Sequence, residues 1–221
     1  MPDQHMRGRR NMTGAAVGLG SGYAAILLAA GAGRRFGGGK LLAPWRGAPL
    51  VAGAVRAALS TPSDPVIVVT GTDPGTVGDA CRAAAEDRGG AGRLRLVHAA
   101  DHAEGMGASL RAGVAVLPTG LRGVFVFLGD MPDIPEEIFA SLITALEAGA
   151  PAAAPAYKGR RGHPVLFSAA LLPDLAGAAG DAGAREVLAI LGDRLARVES
   201  QDPGVLFDVD RPEDLGDPPR G

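Results

Sequence analysis

The sequence predicts an α/β fold in which helices cover both faces of a mostly parallel, doubly wound β-sheet, within a single domain. Short apolar runs alternate along the chain with longer amphipathic patterns, as expected for repeated strand–helix units. The run "PVIVVT" (65–70) is apolar throughout, which is typical of a strand covered on both faces. A length of 221 residues with 47% hydrophobic residues fits one large domain.

The first half of the chain contains three predicted strands with helices between them. "YAAILLAA" (23–30) is the first strand, and "PLVAGAVRAALS" predicts a helix with Pro49 at its first position. After the strand "PVIVVT" come a helix in "PGTVGDACRAAAEDR" and a strand in "LRLVHA". This order predicts consecutive parallel strands joined by helical crossovers.

The second half begins with the predicted central strand, "GVFVFLGD" (123–130), which follows a helix in "GASLRAGVAVL". "PEEIFASLITALEAG" predicts an amphipathic helix with acidic residues in its first turn, where the helix dipole favours them. After Gly149 we expect helices from about Ser168 and in "AREVLAIL", with "VLFDVD" ending a further strand. This region should extend the same sheet and line a substrate cleft.

The two ends of the chain differ from the predicted domain at 23–216. Residues 1–22 are rich in Gly and Arg without periodicity and are expected to form a disordered tail, and 217–221 a frayed C-terminus. Arg9 and Arg10 are not followed by the continuous apolar stretch of an export signal. No run reaches the ~18 apolar residues of a membrane span, so no membrane partner is expected.

Composition excludes several classes of function. A formal net charge of -2 gives no basic surface for a nucleic-acid backbone, and 4% aromatic residues make a base-stacking surface improbable. The one cysteine, Cys81, excludes an intrachain disulfide and a cysteine-rich metal site. Such cysteine usage predicts a cytoplasmic protein.

A glycine-rich loop follows the first strand in "AAILLAAGAGRRFGGGK" (24–40). A P-loop is excluded because Arg34 stands at the first glycine position and Leu41 replaces the hydroxyl residue after the lysine. A dinucleotide-binding motif is disfavoured because the third glycine comes one residue late and the strand 65–70 does not end in an acidic residue.

The remaining interpretation of this loop is a phosphate-binding loop that combines backbone N–H donors with cationic side chains. These groups, with Arg35 and Lys40, are enough to hold a triphosphate. Arg34 should point away from the phosphates if the loop is tight. The alternative is a glycine-rich turn with solvated cations.

Carboxylates follow two of the predicted strands. The motif "LGDMP" puts Asp130 just past a buried strand, where a lone carboxylate is costly unless it binds a cation or accepts hydrogen bonds. Asp208 and Asp210 share one face of an extended segment by alternation. Together with the cationic loop they suggest an Mg²⁺ ion bridging triphosphate oxygens. The alternative for Asp210 is a helix N-cap before "RPEDL".

Five motifs occur in a characteristic order: "LAAGAGRRFGGGKLL", "LGDMP", "GHPVLF", "GDAGAR" and "DVDRPEDL". From about Ala24 to Leu215 the chain resembles the MobA-like nucleotidyltransferases, and within them most nearly the molybdenum cofactor cytidylyltransferases. The resemblance implies a Rossmann-like fold of the nucleotide-diphosphosugar transferase type. It also implies Mg²⁺-dependent transfer of CMP from CTP to molybdenum-bound molybdopterin, with release of pyrophosphate.

The resemblance also implies roles for individual residues. Asp130 and Asp210 would be the metal ligands, and Arg35, Lys40 and Asp130 the catalytic residues. His163 and Pro164 would contact the acceptor, although His163 could instead be a core-edge histidine bonded to backbone. The implied nucleotide-binding set is Leu28, Ala29, Ala30, Gly31, Gly33, Arg35, Lys40, Thr70, Gly107, Ser109 and Asp130.

The sequence departs from the family pattern at three positions. Gly33 stands where the family usually has Ser, and Ala99 and His102 replace an Asn and a Trp. Ala30 in "LAAG" favours the cytidylyl branch, since guanylyl relatives typically have Gly there.

Other functions remain open at this point. The alternatives are a guanylyl- or sugar-phosphate-type transferase and a non-catalytic protein that binds the nucleotide or delivers the cofactor. CTP and molybdopterin are the expected small-molecule partners, with transient contact to a molybdoenzyme or its chaperone.

Overall fold

In the computed structural model, which describes residues 22–216, a mostly parallel eight-stranded sheet forms the centre of the protein. The predicted tail at 1–21 and C-terminus at 217–221 lie outside the described residues. The strands are β1 (Tyr23–Ala29), β2 (Pro44–Trp45), β3 (Ala48–Pro49), β4 (Val66–Thr70), β5 (Leu94–His98), β6 (Gly123–Leu128), β7 (Ala152–Tyr157), β8 (Arg160–Arg161), β9 (Val165–Ser168) and β10 (Leu195–Glu199). The helices are α1 (Leu50–Ser60), α2 (Pro74–Asp87), α3 (Met106–Val114), α4 (Ile138–Glu147), α5 (Leu172–Ala176) and α6 (Arg185–Leu191).

The strand order confirms a doubly wound sheet with one reversed strand inside it. The order is β10–β7–β9–β6–β1–β4–β5, and β8 pairs with β7. β1 runs parallel to β4 and β6, and β4 runs parallel to β5. β9 is antiparallel to both β6 and β7, so the half of the sheet after Gly149 is mixed. β2 and β3 form a separate hairpin.

Alternating side chains of the central strands supply the core on both faces of the sheet. Ala25 and Leu27 of β1 face one way and pack in the cluster that includes α1, α2 and α4. Ala24 and Ile26 face the other way, toward residues of α3, α5 and α6. A strand whose two faces are both covered must be apolar at every position, which explains the unbroken apolar runs.

Several predicted boundaries were wrong. α4 begins at Ile138, after a turn at 136–137, so Glu136 and Glu137 precede its first turn rather than lie in it. α3 ends at Val114 and does not reach Leu117. Among residues 22–216, no helix is long and apolar enough to cross a membrane.

The final strand of the sheet also differs from the prediction. It is β10, and the "VLFDVD" segment expected as a strand has a 3₁₀ turn at Pro203–Leu206 followed by an extended, unpaired stretch. Val209 of this segment is buried against Trp45 of the β2–β3 hairpin and Leu50 of α1, which gives the same apolar alternation as burial in a sheet.

Candidate functional site

The candidate site lies at the carboxyl edge of the central strands. β1, β4 and β6 are adjacent and parallel, so the loops that follow Ala29, Thr70 and Leu128 meet at one edge. Ligands of open α/β sheets bind at this edge. The structure therefore brings the glycine-rich loop and the Asp130 turn together, as the sequence predicts.

The glycine-rich loop is folded partly on itself. The N–H groups of Phe36 and Gly38 both donate to the carbonyl of Gly33, at 2.9 and 3.1 Å. These two N–H groups are therefore not available to a phosphate. The loop offers fewer free backbone donors than the sequence suggested. Gly31 is exposed, with open space where a side chain would stand.

Gly33 is required by the geometry of this loop. Its φ is +58°, and a Cβ atom there would lie 2.9 Å from the Cβ of Lys40. A serine, the usual family residue, would be strained in this left-handed conformation and would displace the lysine. Glycine in place of the usual serine therefore allows the loop to pack closely against Lys40.

Lys40 links the loop to both candidate metal ligands. It begins a 3₁₀ turn at Lys40–Leu42, and its side chain is only 12% exposed. Its Nζ lies 2.7 Å from Oδ2 of Asp130 and 3.5 Å from Oδ1 of Asp210. Arg35 pairs with Asp210 from the solvent side, at 3.2 Å. The side chain of Arg34, predicted to point away, lies outside the described part of the chain.

The segment carrying Asp208 and Asp210 docks directly on the Asp130 turn. The N–H of Val209 donates to the carbonyl of Asp130 at 3.0 Å, and the Val209 side chain is fully buried beside Trp45 and Leu50. With Val209 directed inward, the two aspartates on either side of it share the outer face. The predicted alternation is confirmed, although the segment is not a strand.

The hydrogen bonds do not support an N-cap role for the Asp210 side chain. The carboxylate of Asp214 accepts from the backbone N–H groups of Asp210 and Arg211, at 2.9 and 2.7 Å. The Asp210 carboxylate instead pairs with Arg35 and Lys40. The Asp210 carboxylate therefore does not cap the following turn, and it faces the candidate site.

The carboxylates at this point fit a divalent cation. Oxygen atoms of Asp130 and Asp210 converge on one positive charge, the Lys40 ammonium. Burial, followed by the carboxylates of Asp130 and Asp210, raises the pKa of Asp208, as expected where negative charges are crowded. Carboxylate oxygens are the ligands that Mg²⁺ prefers, and it is commonly held by one or two of them together with substrate phosphates and water. Within residues 22–216, no group of three or more His, Cys, Asp or Glu side chains is arranged to bind a metal ion by itself. Substrate phosphate and water would therefore complete the coordination of the ion.

Ala30 and His102 lie on either side of the turn that follows β4. A Cβ on Gly71 would be 2.6 Å from both the carbonyl oxygen of Ala30 and the Cγ of His102. The His102 Nδ1 lies 2.9 Å from the carbonyl of Ala99, and its Nε2 lies 3.4 Å from the Thr72 hydroxyl. The histidine that replaces the usual tryptophan therefore links the turns after β4 and β5.

Three of the predicted nucleotide-binding residues are buried in contacts within the protein. Thr70 is 2% exposed and donates to the carbonyl of Val97 at 3.3 Å. Gly107 and Ser109 lie in the first turn of α3, and a Cβ on Gly107 would be 2.7 Å from the backbone of Ala179. Gly107 thus lets α3 approach that segment closely. Nucleotide contacts from these three residues remain a prediction.

A cavity of about 230 Å³ opens beside the carboxylates, between β6, β9 and α6. Leu28, from the predicted nucleotide set, and His163, from the predicted acceptor set, both line it, and Pro164 is buried behind. The walls are otherwise mostly apolar, with Met106, Leu110, Val126, Leu128, Met131, Val165, Phe167 and Leu188 among them. Asp208, which interacts electrostatically with Asp130, also lines the cavity.

Two polar side chains of this cavity have buried atoms without partners, Nη1 of Arg161 and Nδ1 of His163. Burial and then the nearby Arg161 lower the pKa of His163 to about 4, although a hydrogen bond to the Val126 backbone opposes the shift. The expected alternative, a histidine satisfied by backbone, therefore describes only one of its ring nitrogens.

Arg161 is a candidate site residue that sequence reasoning missed. Burial, followed by repulsion from Arg185 and Arg197, lowers its pKa. None of these three arginines forms an ion pair with another residue of the described range 22–216. Alternation could have identified Arg161, because it stands two residues before His163 on an extended segment.

Known proteins similar to this chain have diverse names. It is 34% identical to the nicotine blue oxidoreductase of Paenarthrobacter nicotinovorans over 199 residues, covering 86% of this chain and 93% of that one. It is 32% identical to the purine catabolism protein PucB of Bacillus subtilis, with coverages of 86% and 92%. It is 27% identical to the molybdenum cofactor cytidylyltransferase of Escherichia coli, again with coverages of 86% and 92%.

Solved structures agree with the fold. The Rv0371c homologue from Mycobacterium sp. strain JC1 superposes with a TM-score of 0.70 at 29% identity, covering 89% of this chain and 94% of that one. Rv0371c of Mycobacterium tuberculosis, solved as a manganese complex, gives a TM-score of 0.63 at 24% identity, with coverages of 87% and 95%.

The strand order, the glycine-rich loop and the paired aspartates thus occur in a chain whose residues 25–198 match the MobA-like NTP transferase domain. That match spans most of the sequence and includes the loop, Lys40 and Asp130. The protein belongs to the MobA-like NTP transferase family.

Proposed function

We propose that this protein transfers CMP from CTP to molybdenum-bound molybdopterin, forming the cytosine dinucleotide and pyrophosphate in an Mg²⁺-dependent reaction. The observation that carries the proposal is the convergence of Asp130, Asp210 and Lys40 beside the glycine-rich loop. This arrangement suits an enzyme that binds a triphosphate with a divalent ion, in a chain of the NTP transferase family.

The chemistry requires no general base from the protein. The terminal phosphate of the acceptor is already an anionic nucleophile at neutral pH, so the residues need only bring two anions together and align them. Asp130 and Asp210 would hold Mg²⁺, which neutralises charge on the phosphates when bound. Lys40 and Arg35 stabilise the negative charge that develops on the leaving pyrophosphate.

The choice of CTP and of the acceptor rests on narrower support. Ala30 matches the cytidylyl pattern "LAAG", and a cytidylyltransferase is among the similar proteins. The other two relatives named above have an oxidoreductase name and a purine catabolism name, so the acceptor is the feature that most needs a direct assay. The single cysteine, Cys81, supports a cytoplasmic location.

The decisive experiment measures pyrophosphate release from each of the four NTPs with molybdenum cofactor as acceptor. We expect CTP to be the best substrate, with activity in Mg²⁺ and loss of activity in EDTA. Mn²⁺ should be tested beside Mg²⁺. A parent protein that prefers GTP would exclude the cytidylyl assignment but leave the transferase class standing.

Asp130→Ala provides the matching test of the metal site. We expect it to abolish turnover and Mg²⁺-dependent CTP binding while the fold is kept, because it removes a ligand that converges on the cation position. Asp133→Ala is the control, since that carboxylate lies in the same turn but pairs with Arg46 at 2.8 Å. If Asp130→Ala retains near-parental turnover, the metal assignment is wrong. If the parent binds CTP and the cofactor without turnover, the protein is a delivery protein instead.

A further inference from the structure

The cavity beside the carboxylates has a polar end whose chemistry is not used by nucleotide transfer. Nη1 of Arg161 and Nδ1 of His163 are both buried and have no partner. Buried polar atoms are almost always hydrogen-bonded, so such a pair in a cavity indicates groups that a ligand would satisfy. Both residues line the same cavity as Leu128 and Asp208.

The two atoms have opposite hydrogen-bonding roles. A guanidinium nitrogen can only donate. His163 is uncharged at neutral pH and bonds to the backbone of Val126 with its other ring nitrogen, so Nδ1 is left as an acceptor. The cavity therefore presents one donor and one acceptor from residues two apart in the chain.

The remaining walls suit a flat ring. Val126, Val165 and Phe167 come from two paired strands, and Leu188 from α6 covers the opposite side. A volume of about 230 Å³ is below the ~300 Å³ at which pockets for drug-sized ligands begin, and is suitable for one small ring system. Asp208, whose carboxyl interacts with Asp130, also lines the cavity.

We propose that this cavity binds a planar heterocycle through a lactam edge, its ring carbonyl accepting from Arg161 and its adjacent ring N–H donating to Nδ1 of His163. The inference rests on the proposed function in one respect, that this heterocycle is part of the phosphorylated acceptor. Arg161 and His163 are thereby specificity-determining residues, and neither takes part in the transfer itself.

An anionic group would fit the same place less well. It would pair with Arg161 and Arg185 but meet the lone pair of His163, unless the ring became protonated. The charged groups around this ring are Arg161, Arg185, the more distant Arg197 and, at the mouth, Asp208. Binding of an anion should therefore strengthen as the pH falls, whereas binding of a lactam should not.

The test uses two fluorescent probes with the full-length protein at pH 7, where pterin keeps its ring N–H and His163 is still uncharged. Pterin has the lactam edge, and 2,4-diaminopteridine is of similar size but has donor and acceptor exchanged along that edge. We expect pterin to bind and 2,4-diaminopteridine to bind at least about tenfold more weakly, because a reversed edge leaves buried groups unpaired. Equal affinity for the two probes, or no pterin binding, would overturn the inference.

Variants assign the effect to the two side chains. His163→Asn places an oxygen near the position of Nδ1 and should retain pterin binding, whereas His163→Gln lacks that acceptor and should weaken it about tenfold or more. Arg161→Met should weaken it similarly. Arg160→Met is the matched control, because Arg160 is exposed on the same strand and does not line the cavity. Loss of binding in Arg160→Met, or none in Arg161→Met, contradicts the assignment.

Separate readouts distinguish this inference from the proposed function. Titration of each variant with CTP and Mg²⁺ reports on folding and on the nucleotide half of the site. A parent that binds pterin but releases no pyrophosphate from CTP would contradict the proposed function and leave the lactam pocket standing. Inorganic phosphate that displaces pterin, more strongly at lower pH, would show an anion site and overturn the inference.

Discussion

Lys40 is the residue that connects the glycine-rich loop to the carboxylates. Its ammonium lies between Asp130 and Asp210 on a side chain that is mostly buried, whereas Arg35 reaches Asp210 with a side chain that is 77% exposed. Both cations are expected to stabilise the leaving pyrophosphate, but they should contribute differently to the stability of the folded protein. Exposed ion pairs contribute little to stability, and buried ones are costly to break.

Replacing these two cations separates catalysis from stability. Lys40→Ala and Arg35→Ala should each slow turnover by ~100-fold or more, because each removes a charged donor from developing negative charge. Only Lys40→Ala should also lower the melting temperature, since it leaves two carboxylates without their shared partner. Steady-state kinetics and thermal unfolding measure the two effects.

Arg34→Ala is the control for the loop cations, and a mild effect is expected from the sequence. Equal kinetic losses at Arg34 and Arg35 would show that the loop faces the other way.

We expect His163 to make the stability of the protein depend on pH. Its pKa is lowered from 6.5 to about 4, so between these values the unfolded chain binds more protons than the folded one. Stability should therefore fall as the pH decreases from about 6.5 toward 4, with a total effect of order ~1–3 kcal/mol. Urea unfolding at pH 7 and pH 4.5 measures this loss, and His163→Asn should reduce it. An unchanged pH dependence in that variant would contradict the buried, neutral state of the ring.

At the level of elements, the site depends on how the C-terminal segment packs on the sheet. The N–H of His163 donates to the carbonyl of Val205 at 2.9 Å, and the Val209 N–H bonds to Asp130 further along. A Cβ on Gly162 would lie 2.2 Å from the Val205 carbonyl oxygen, so only glycine permits this approach. The contact positions Asp208 and Asp210 beside the Asp130 turn.

Gly162→Ala tests whether this docking assembles the site. The added methyl should push the segment away, cost ~1–3 kcal/mol in unfolding free energy, and weaken Mg²⁺-dependent CTP binding, although no ligand has been altered. Gly177→Ala is the control, because a Cβ there would meet nothing nearer than 3.4 Å. Calorimetric titration with CTP and Mg²⁺ gives the affinities. Unchanged affinity in Gly162→Ala would show that Asp210 is not positioned by this contact.

At the level of the whole molecule, one sheet covered on both faces provides the frame for the site. Phe125 of β6 is fully buried, and its ring lies 6.3 Å from Tyr23, 6.0 Å from Phe127 and 6.1 Å from Phe139 between ring centroids. This aromatic group joins the central strands to α4. The loops of the site start from strands held by this packing.

Phe125→Ala should therefore destabilise the whole fold. Removing a buried phenylalanine costs ~3–5 kcal/mol, from the lost transfer free energy and the cavity left behind. Ile190→Ala is the control, because that side chain is 76% exposed and should change the unfolding free energy little. Chemical denaturation compares the two. A loss below ~1 kcal/mol for Phe125→Ala would mean that this face of the core is loosely packed.

The sequence by itself determined the elements whose pattern is local. The apolar runs of β1, β4 and β6 identify strands covered on both faces, because such burial leaves no position for a polar residue. The position of Asp130 after the central strand, and the alternation around Val209, also follow from the chain itself. These features require only the period of a strand and the rule that loops at the carboxyl ends of parallel strands meet.

Only the tertiary structure decided which of these residues touch. The "VLFDVD" segment has the pattern of a strand, yet it pairs with no strand of the sheet, and Val209 is buried against Trp45 and Leu50 instead. The apolar period cannot distinguish these two kinds of burial. The pairing of Lys40 with Asp210 joins positions far apart in the chain through the docking of that segment. Arg161 became a site residue because the fold places it with His163 in one cavity, which Asp208 also lines. Such contacts depend on strand order and on close backbone approaches, as at Gly162, and these are properties of the packed molecule that no local stretch of sequence contains.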